Sequence, residues 1–164
     1  MNQHEDYMRL ALELAAEARS AGEVPVGALL TLDGRIVGRG RNRSVGDVDP
    51  TAHAEVVALR DAARNIGNYR LVGSTMYCTV EPCLMCLGAM IHARVQTVVF
   101  GAHDPKAGGT SKLEALREAG TQFNHRFVVI GGVLSEPASE MLVDFFRERR
   151  EEAEPAACAV HRGA

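Results

Sequence analysis

Ser74-Thr75-Met76-Tyr77-Cys78-Thr79-Val80-Glu81-Pro82-Cys83-Leu84-Met85-Cys86 runs from a strand pattern through a proline into a C-x-x-C. Ser74 to Val80 alternates and carries the aromatic and β-branched residues of a strand. Pro82 then starts a helix through about Ala93, because proline is favoured at the first helical position, where its missing N–H is not needed. The C-x-x-C of Cys83 and Cys86 therefore falls at a strand-to-helix turn, where residues three apart share a helix face. Upstream, Thr51-Ala52-His53-Ala54-Glu55 leads into a second helix, Ala54 to Asn65, with buried spacing through Val56, Val57, Leu59 and Ala63. Thr51 is placed to cap its start.

Working outward, the apolar positions Leu10, Ala11, Leu14, Ala15 and Ala18 follow helical spacing from Tyr7, and Gly22 ends that helix. Val24 to Leu32 and Arg35 to Gly40 are strands joined by Asp33-Gly34, a two-residue hairpin signal. Arg41 to Pro50 is a polar loop that delivers the chain to His53. Gln96 to Gly101 is a buried strand, and the glycines of the loop Ala102 to Thr110 point to mobility or close approach to a ligand. Leu113 to Ala119 is a short helix, Phe127 to Ile130 a last strand, and Ser135 to Arg150 a helix with Leu142, Phe145 and Phe146 on one side. Strands alternating with helices after a hairpin give an α/β fold, a three-layer α/β/α sandwich on a mixed five-stranded sheet. The pattern ends near Glu151, so one domain is expected over residues 1–150, with 151–164 a disordered tail.

The chain has 164 residues, enough for one domain to bury a core without disulfides. No apolar run approaches the roughly 18 residues of a membrane span. Met1 to Glu17 opens with acids and lacks the order of a secretory signal, which makes a cytoplasmic location the default. Four cysteines, two of them in a C-x-x-C, fit metal or redox chemistry in a reducing compartment better than a disulfide framework. A net charge of −3 argues against a general nucleic-acid binder, so any polyanion must be met by a local patch.

Cys83, Cys86 and His53 offer three protein ligands, the number a catalytic zinc keeps when its fourth tetrahedral position is left for water. Helix N-termini aimed at this point would stabilise the thiolates, and zinc would bring the pKa of a bound water from about 15.7 toward neutrality. Glu55, not needed as a ligand, can take the water's proton and return it to a leaving nitrogen. A structural zinc would close its shell with a fourth Cys or His; Cys158 lies in the tail, and Cys78 on its strand reads as a small buried hydrophobe. A redox dithiol would leave His53 and Glu55 unexplained. The set suits hydrolytic removal of an amino group.

His53-Ala54-Glu55 with Pro82-Cys83-Leu84-Met85-Cys86 is the signature of the cytidine/deoxycytidylate deaminase superfamily of zinc deaminases. Glu23-Val24-Pro25-Val26-Gly27-Ala28, Asn42-Arg43, Asp49-Pro50-Thr51, Asn68-Tyr69-Arg70-Leu71, Gly88-Ala89-Met90-Ile91-His92, Asn124-His125-Arg126 and Asp144-Phe145-Phe146-Arg147 narrow the likeness. Together they resemble the bacterial tRNA-specific adenosine deaminase family from about Met8 to Arg150, departing from it most between Ala107 and Gln122. The resemblance implies a cytidine-deaminase-like fold, one Zn²⁺ per subunit, a homodimer, and conversion of the wobble adenosine (position 34) of a tRNA anticodon stem-loop to inosine. It makes His53, Cys83 and Cys86 the zinc ligands and Glu55 the proton shuttle. It also makes Asn42, Asp104 and Asn124 substrate contacts, for which the plain alternatives are turn residues at Asn42 and Asp104 and a loop asparagine at Asn124. A deaminase of a free base or nucleoside, and a zinc-stabilised module without turnover, are the rival readings. Arg39, Arg41 and Arg43, with Arg147, Arg149 and Arg150, are either solvated faces or the local patch that an acidic protein needs to hold RNA phosphates.

Overall fold

Asp33 and Gly34 both take left-handed backbone angles, φ 50° and 72°, the geometry of a tight hairpin turn whose twist matches the flanking strands. They join β1 (Gly27–Leu32) to β2 (Arg35–Arg41) in the computed structural model, which describes residues 2–160. The remaining strands are β3 (Thr75–Val80), β4 (Thr97–Ala102) and β5 (Val128–Ile130), and the sheet order is β2-β1-β3-β4-β5. β1 runs antiparallel to β2 and β3, whereas β3, β4 and β5 are parallel. The parallel part requires crossovers. These are α3 (Leu84–Ala93) between β3 and β4 and α4 (Thr110–Glu118) between β4 and β5, while α2 (Ala54–Ile66) links β2 to β3.

The central strands are buried on both faces, as a helix-covered sheet demands. On one face Met8 and Ala11 of α1 (Gln3–Ser20) pack on Leu29, Tyr77 and Val99, and α5 (Ser135–Val160) lies against β4 and β3. On the other, Leu59, Leu87, Met90 and Leu113 of α2, α3 and α4 pack on Leu30, Met76, Val98 and Phe100. This is the α/β/α sandwich with a mixed five-stranded sheet expected from the sequence.

Four local details differ. The first strand begins at Gly27, not Val24, because Pro25 offers no N–H and restricts Val24 before it. Cys83, rather than Pro82, flanks α3 as its N-cap. Thr51 does not cap α2; its hydroxyl donates to Asp49 Oδ1 at 2.7 Å. The last helix continues past Arg150 to Val160, since Glu and Ala form helix without needing an apolar stripe. Residues 161–164 of the expected tail lie outside the described residues.

Helix α2 seals the open edge of β2. Asp61 Oδ2 accepts the outward N–H of Arg39 at 2.9 Å, and Asn65 Nδ2 donates to the carbonyl of Val37 at 2.9 Å. Edge strands left bare pair with other chains, and here a helix supplies the missing partners. The approach is close because Gly38 and Gly40 face α2: a Cβ on Gly40 would lie 2.1 Å from the carbonyl oxygen of Ala54.

Candidate active site

The site forms where strand order reverses between antiparallel β1 and parallel β3, beyond the carboxyl end of β3, the usual crevice of an open α/β sheet. His53 and Cys83 are the N-cap residues of α2 and α3 and neither makes a side-chain cap bond, leaving both side chains for the space between the helix starts. Cys83 Sγ lies 3.7 Å from His53 Nδ1 and 3.7 Å from Cys86 Sγ, and Cys86 Sγ lies 3.6 Å from His53 Nδ1. Tetrahedral zinc with ligand bonds of about 2.0 to 2.3 Å sets its ligand atoms about 3.5 to 3.8 Å apart. The donors present therefore fit the ion, and they are the three metal-ligating side chains grouped together among the described residues.

The three donors are also electrostatically coupled to one another. The sulfur–sulfur contact and the His53 imidazole bring the Cys83 thiol down to about 4. The same contact, with burial, pushes Cys86 far above the thiol range, and the Cys83 hydrogen bond raises His53. Cys78, fully buried on β3, is driven well above the thiol range first by burial, as expected of a packing residue. Glu55 sits in the first turn of α2 and is only 4% exposed; burial, above all, raises its carboxyl pKa.

Asn42 follows β2, and its Oδ1 accepts the N–H of Ala54 at 2.9 Å, doing for α2 the capping expected of Thr51. Asp104 follows β4 and accepts the amides of Lys106 and Ala107 at 2.9 Å each through Oδ1. The turn reading of Asp104 is thus realised, and its loop folds over Cys83, with Gly108 bridged to Cys83 and the Gly109 amide donating to the Pro82 carbonyl at 2.8 Å. The structure does not bring Asn124 to this group. Its carbonyl accepts from Arg94, the C-cap of α3, about 17 Å along the helix from Cys83.

A family model described as the cytidine and deoxycytidylate deaminase zinc-binding region matches residues 1–102. A tRNA-specific adenosine deaminase of Haemophilus influenzae is 51% identical over 150 residues, spanning 90% of this chain and 86% of that one. The chain belongs to the tRNA-specific adenosine deaminase family. The Bacillus subtilis member is 43% identical over 156 residues, with 95% and 96% of the two chains covered. A solved structure from work on A-to-I editing by tRNA:A34 deaminases superposes with a TM-score of 0.77 at 38% identity, covering 84% of this chain and 99% of that one.

Sequence patterns assign nothing to Glu81, and the structure makes it the organiser of the 103–110 loop in this family member. It is 8% exposed. Its Oε2 accepts the Asp104 amide at 3.2 Å and faces His103 Nδ1 at 3.3 Å, while Oε1 accepts the Thr110 amide at 3.1 Å and the Thr110 hydroxyl. Burial raises its pKa, but these donors together outweigh it and hold the carboxyl below its ordinary value. Gly108 must be glycine, since a Cβ there would lie 2.5 Å from that carboxylate. The glycines thus serve close packing on Glu81 and Cys83. No local pattern marks it, because its partners Asp104 and Thr110 lie 23 and 29 positions further along the chain. In Glu81→Gln the new NH₂ must face an amide or hydroxyl donor, at a cost of about 1 to 3 kcal/mol. Amides 104–110 should exchange faster with solvent and KM should rise, while zinc stays at one per chain; unchanged exchange and KM would remove Glu81 from this role.

Proposed function

We propose that residues 1–150 form a zinc-dependent hydrolase that deaminates the adenosine at the wobble position of a tRNA anticodon stem-loop to inosine. The observation that carries this reading is the convergence of His53, Cys83 and Cys86, all within 4.8 Å, beside a buried carboxylate, in a chain 51% identical to a tRNA-specific adenosine deaminase. His53 Nδ1 and the two sulfurs would hold the ion. Zinc bound there supplies the Lewis acidity that makes water nucleophilic near neutral pH. Glu55 removes a proton from the attacking water and delivers it to the exocyclic nitrogen as the C6–N bond breaks; the water oxygen stays on the base and ammonia leaves. A raised carboxyl pKa suits a group that must both accept and donate.

Asn42 fixes the start of α2, and its side-chain NH₂ is the donor we assign to the target nucleotide. The Asp104 loop closes the opposite side against the ribose, and Asn124 meets RNA flanking the target. A homodimer is supported by the outer face of α3, where Leu84 and Met85 are 42% and 39% exposed beside the metal ligands; sedimentation should give twice the chain mass. The reduced C-x-x-C supports a cytoplasmic location, and no helix among the described residues is long and apolar enough to cross a membrane.

The decisive experiment offers an anticodon stem-loop with wobble adenosine and, separately, free adenosine, guanine, cytosine and cytidine, with inosine and ammonia as readouts. Inosine from the stem-loop, abolished by a zinc chelator and restored by Zn²⁺, is expected. Turnover of a free base with the stem-loop untouched would overturn the reading.

A further inference from the structure

We propose that the cleft between edge strand β2 and helix α2 is a docking surface for phosphodiester groups of the substrate RNA lying outside the deaminated nucleotide. The inference rests on the reading of RNA as the substrate and adds where its backbone runs. Arg39 and Arg43, at the end of β2 and just beyond it, and Arg60 and Arg64, from α2, line one cavity of about 310 Å³ together with Asp47 and Asp61. The two acids are already engaged. Asp47 takes the Arg43 guanidinium at 2.9 and 3.2 Å, and Asp61 takes the backbone N–H of Arg39 at 2.9 Å.

Arg39 and Arg64 have no carboxylate partner among the described residues, and Arg60 reaches Asp49 only at 3.4 Å. The cleft therefore keeps a positive excess in a chain whose net charge is −3. An acidic protein gains affinity for a polyanion only through such a local cluster. The other arginines are differently placed. Arg41 points to Glu17 at 4.0 Å, Arg147 pairs with Asp144 at 2.8 Å, and Arg149 donates to the carbonyl of Gly22 at 2.8 Å.

The cleft is built on the same helix α2 and the same end of β2 that position the active site. Arg43 directly follows Asn42, whose Oδ1 holds the first amide of α2, and Arg64 lies ten residues along that helix from Ala54. That is about 15 Å of helix, and at a rise of about 3.4 Å per nucleotide of a stacked strand it spans about four phosphates. Arginine is the side chain whose planar fork matches phosphate oxygens.

The test compares the zinc-loaded full chain with Arg39→Gln/Arg64→Gln and with Arg9→Gln, a control on α1 whose guanidinium already pairs with Glu5 and Asp6. Steady-state deamination of the stem-loop is measured across a series of KCl concentrations. The double variant should keep kcat, zinc content and melting temperature, raise KM about tenfold, and lower the slope of log KM against log [KCl] by about 1.4, from about 0.7 per lost phosphate contact. Arg9→Gln should match the parent. An unchanged KM and slope in the double variant, or an equal shift in Arg9→Gln, overturns the proposal while leaving the RNA reading standing. Inhibition of the parent but not the double variant by inorganic phosphate, at matched ionic strength, reassigns the cleft to a free anion and also overturns it. A parent that fails to deaminate the stem-loop at any salt defeats the RNA reading itself.

Discussion

Glu55→Gln should lower the deamination rate by about 10² to 10⁴-fold without reducing zinc below one per chain. The glutamine has nearly the same volume and leaves His53, Cys83 and Cys86 as they stand, but it cannot accept the water's proton. The folded protein should be as stable as the parent or more so, because at 4% exposure the carboxylate is strongly desolvated, and removing an ionisable group from such a place relieves a cost. Metal analysis, thermal unfolding and single-turnover kinetics on one preparation give all three readouts. Undiminished turnover would take Glu55 out of the chemistry. Absence of turnover in both parent and variant, with zinc bound, would reduce the site to a structural metal centre.

Gly40→Ala acts from the opposite side of α2 and should damage the site without touching a ligand. The added Cβ would lie 2.1 Å from the Ala54 carbonyl oxygen and 2.5 Å from the Ala58 amide nitrogen, both backbone atoms that no side-chain rotation can clear. Overpacking of this kind costs about 1 to 3 kcal/mol. The shift also falls on the residue next to His53, so the 3.6 to 3.7 Å spacing of the three donors should be lost and zinc should drop well below one per chain. Gly34→Ala provides the comparison. That glycine has φ 72° and nothing within 4 Å of where a methyl group would stand, so alanine there strains the hairpin turn by about 1 to 3 kcal/mol and should leave the metal in place. If both variants lose stability alike and both keep zinc, close packing of β2 on α2 does not set the ligand geometry.

Much of this architecture is legible in the residues alone, for physical reasons that differ by element. The Asp33-Gly34 turn is a two-residue signal with one good backbone solution, and it forms as read. The ligand pair at Cys83 and Cys86 is local, and its spacing survives a helix start that moves from Pro82 to Leu84. What escapes is non-local. Asn42 caps a helix twelve positions further on, a partnership invisible to patterns that look only at the next turn, so Thr51 is the natural choice. Glu81 stands beside the cysteines with no role visible in the sequence, because its partners Asp104 and Thr110 become neighbours only through the β3-α3-β4 crossover. The arginines of α2 carry no signal because helical arginines are ordinarily solvated, and only the fold sets Arg60 and Arg64 against Arg39.

The hydrogen bonds from Asp61 and Asn65 to the outer rim of β2 place a colloidal burden on the same helix that carries His53 and Glu55. Catalytic competence and solubility thus share one mechanical part. Anything that loosens α2, whether demetallation, an oversized residue at position 40, or redesign of the pocket for another base, also uncovers a strand able to recruit a neighbouring chain. Selection for altered substrates in this scaffold should therefore surrender monodispersity early, and variants that recover it should do so through substitutions near Asp61 and Asn65, far from the base being turned over.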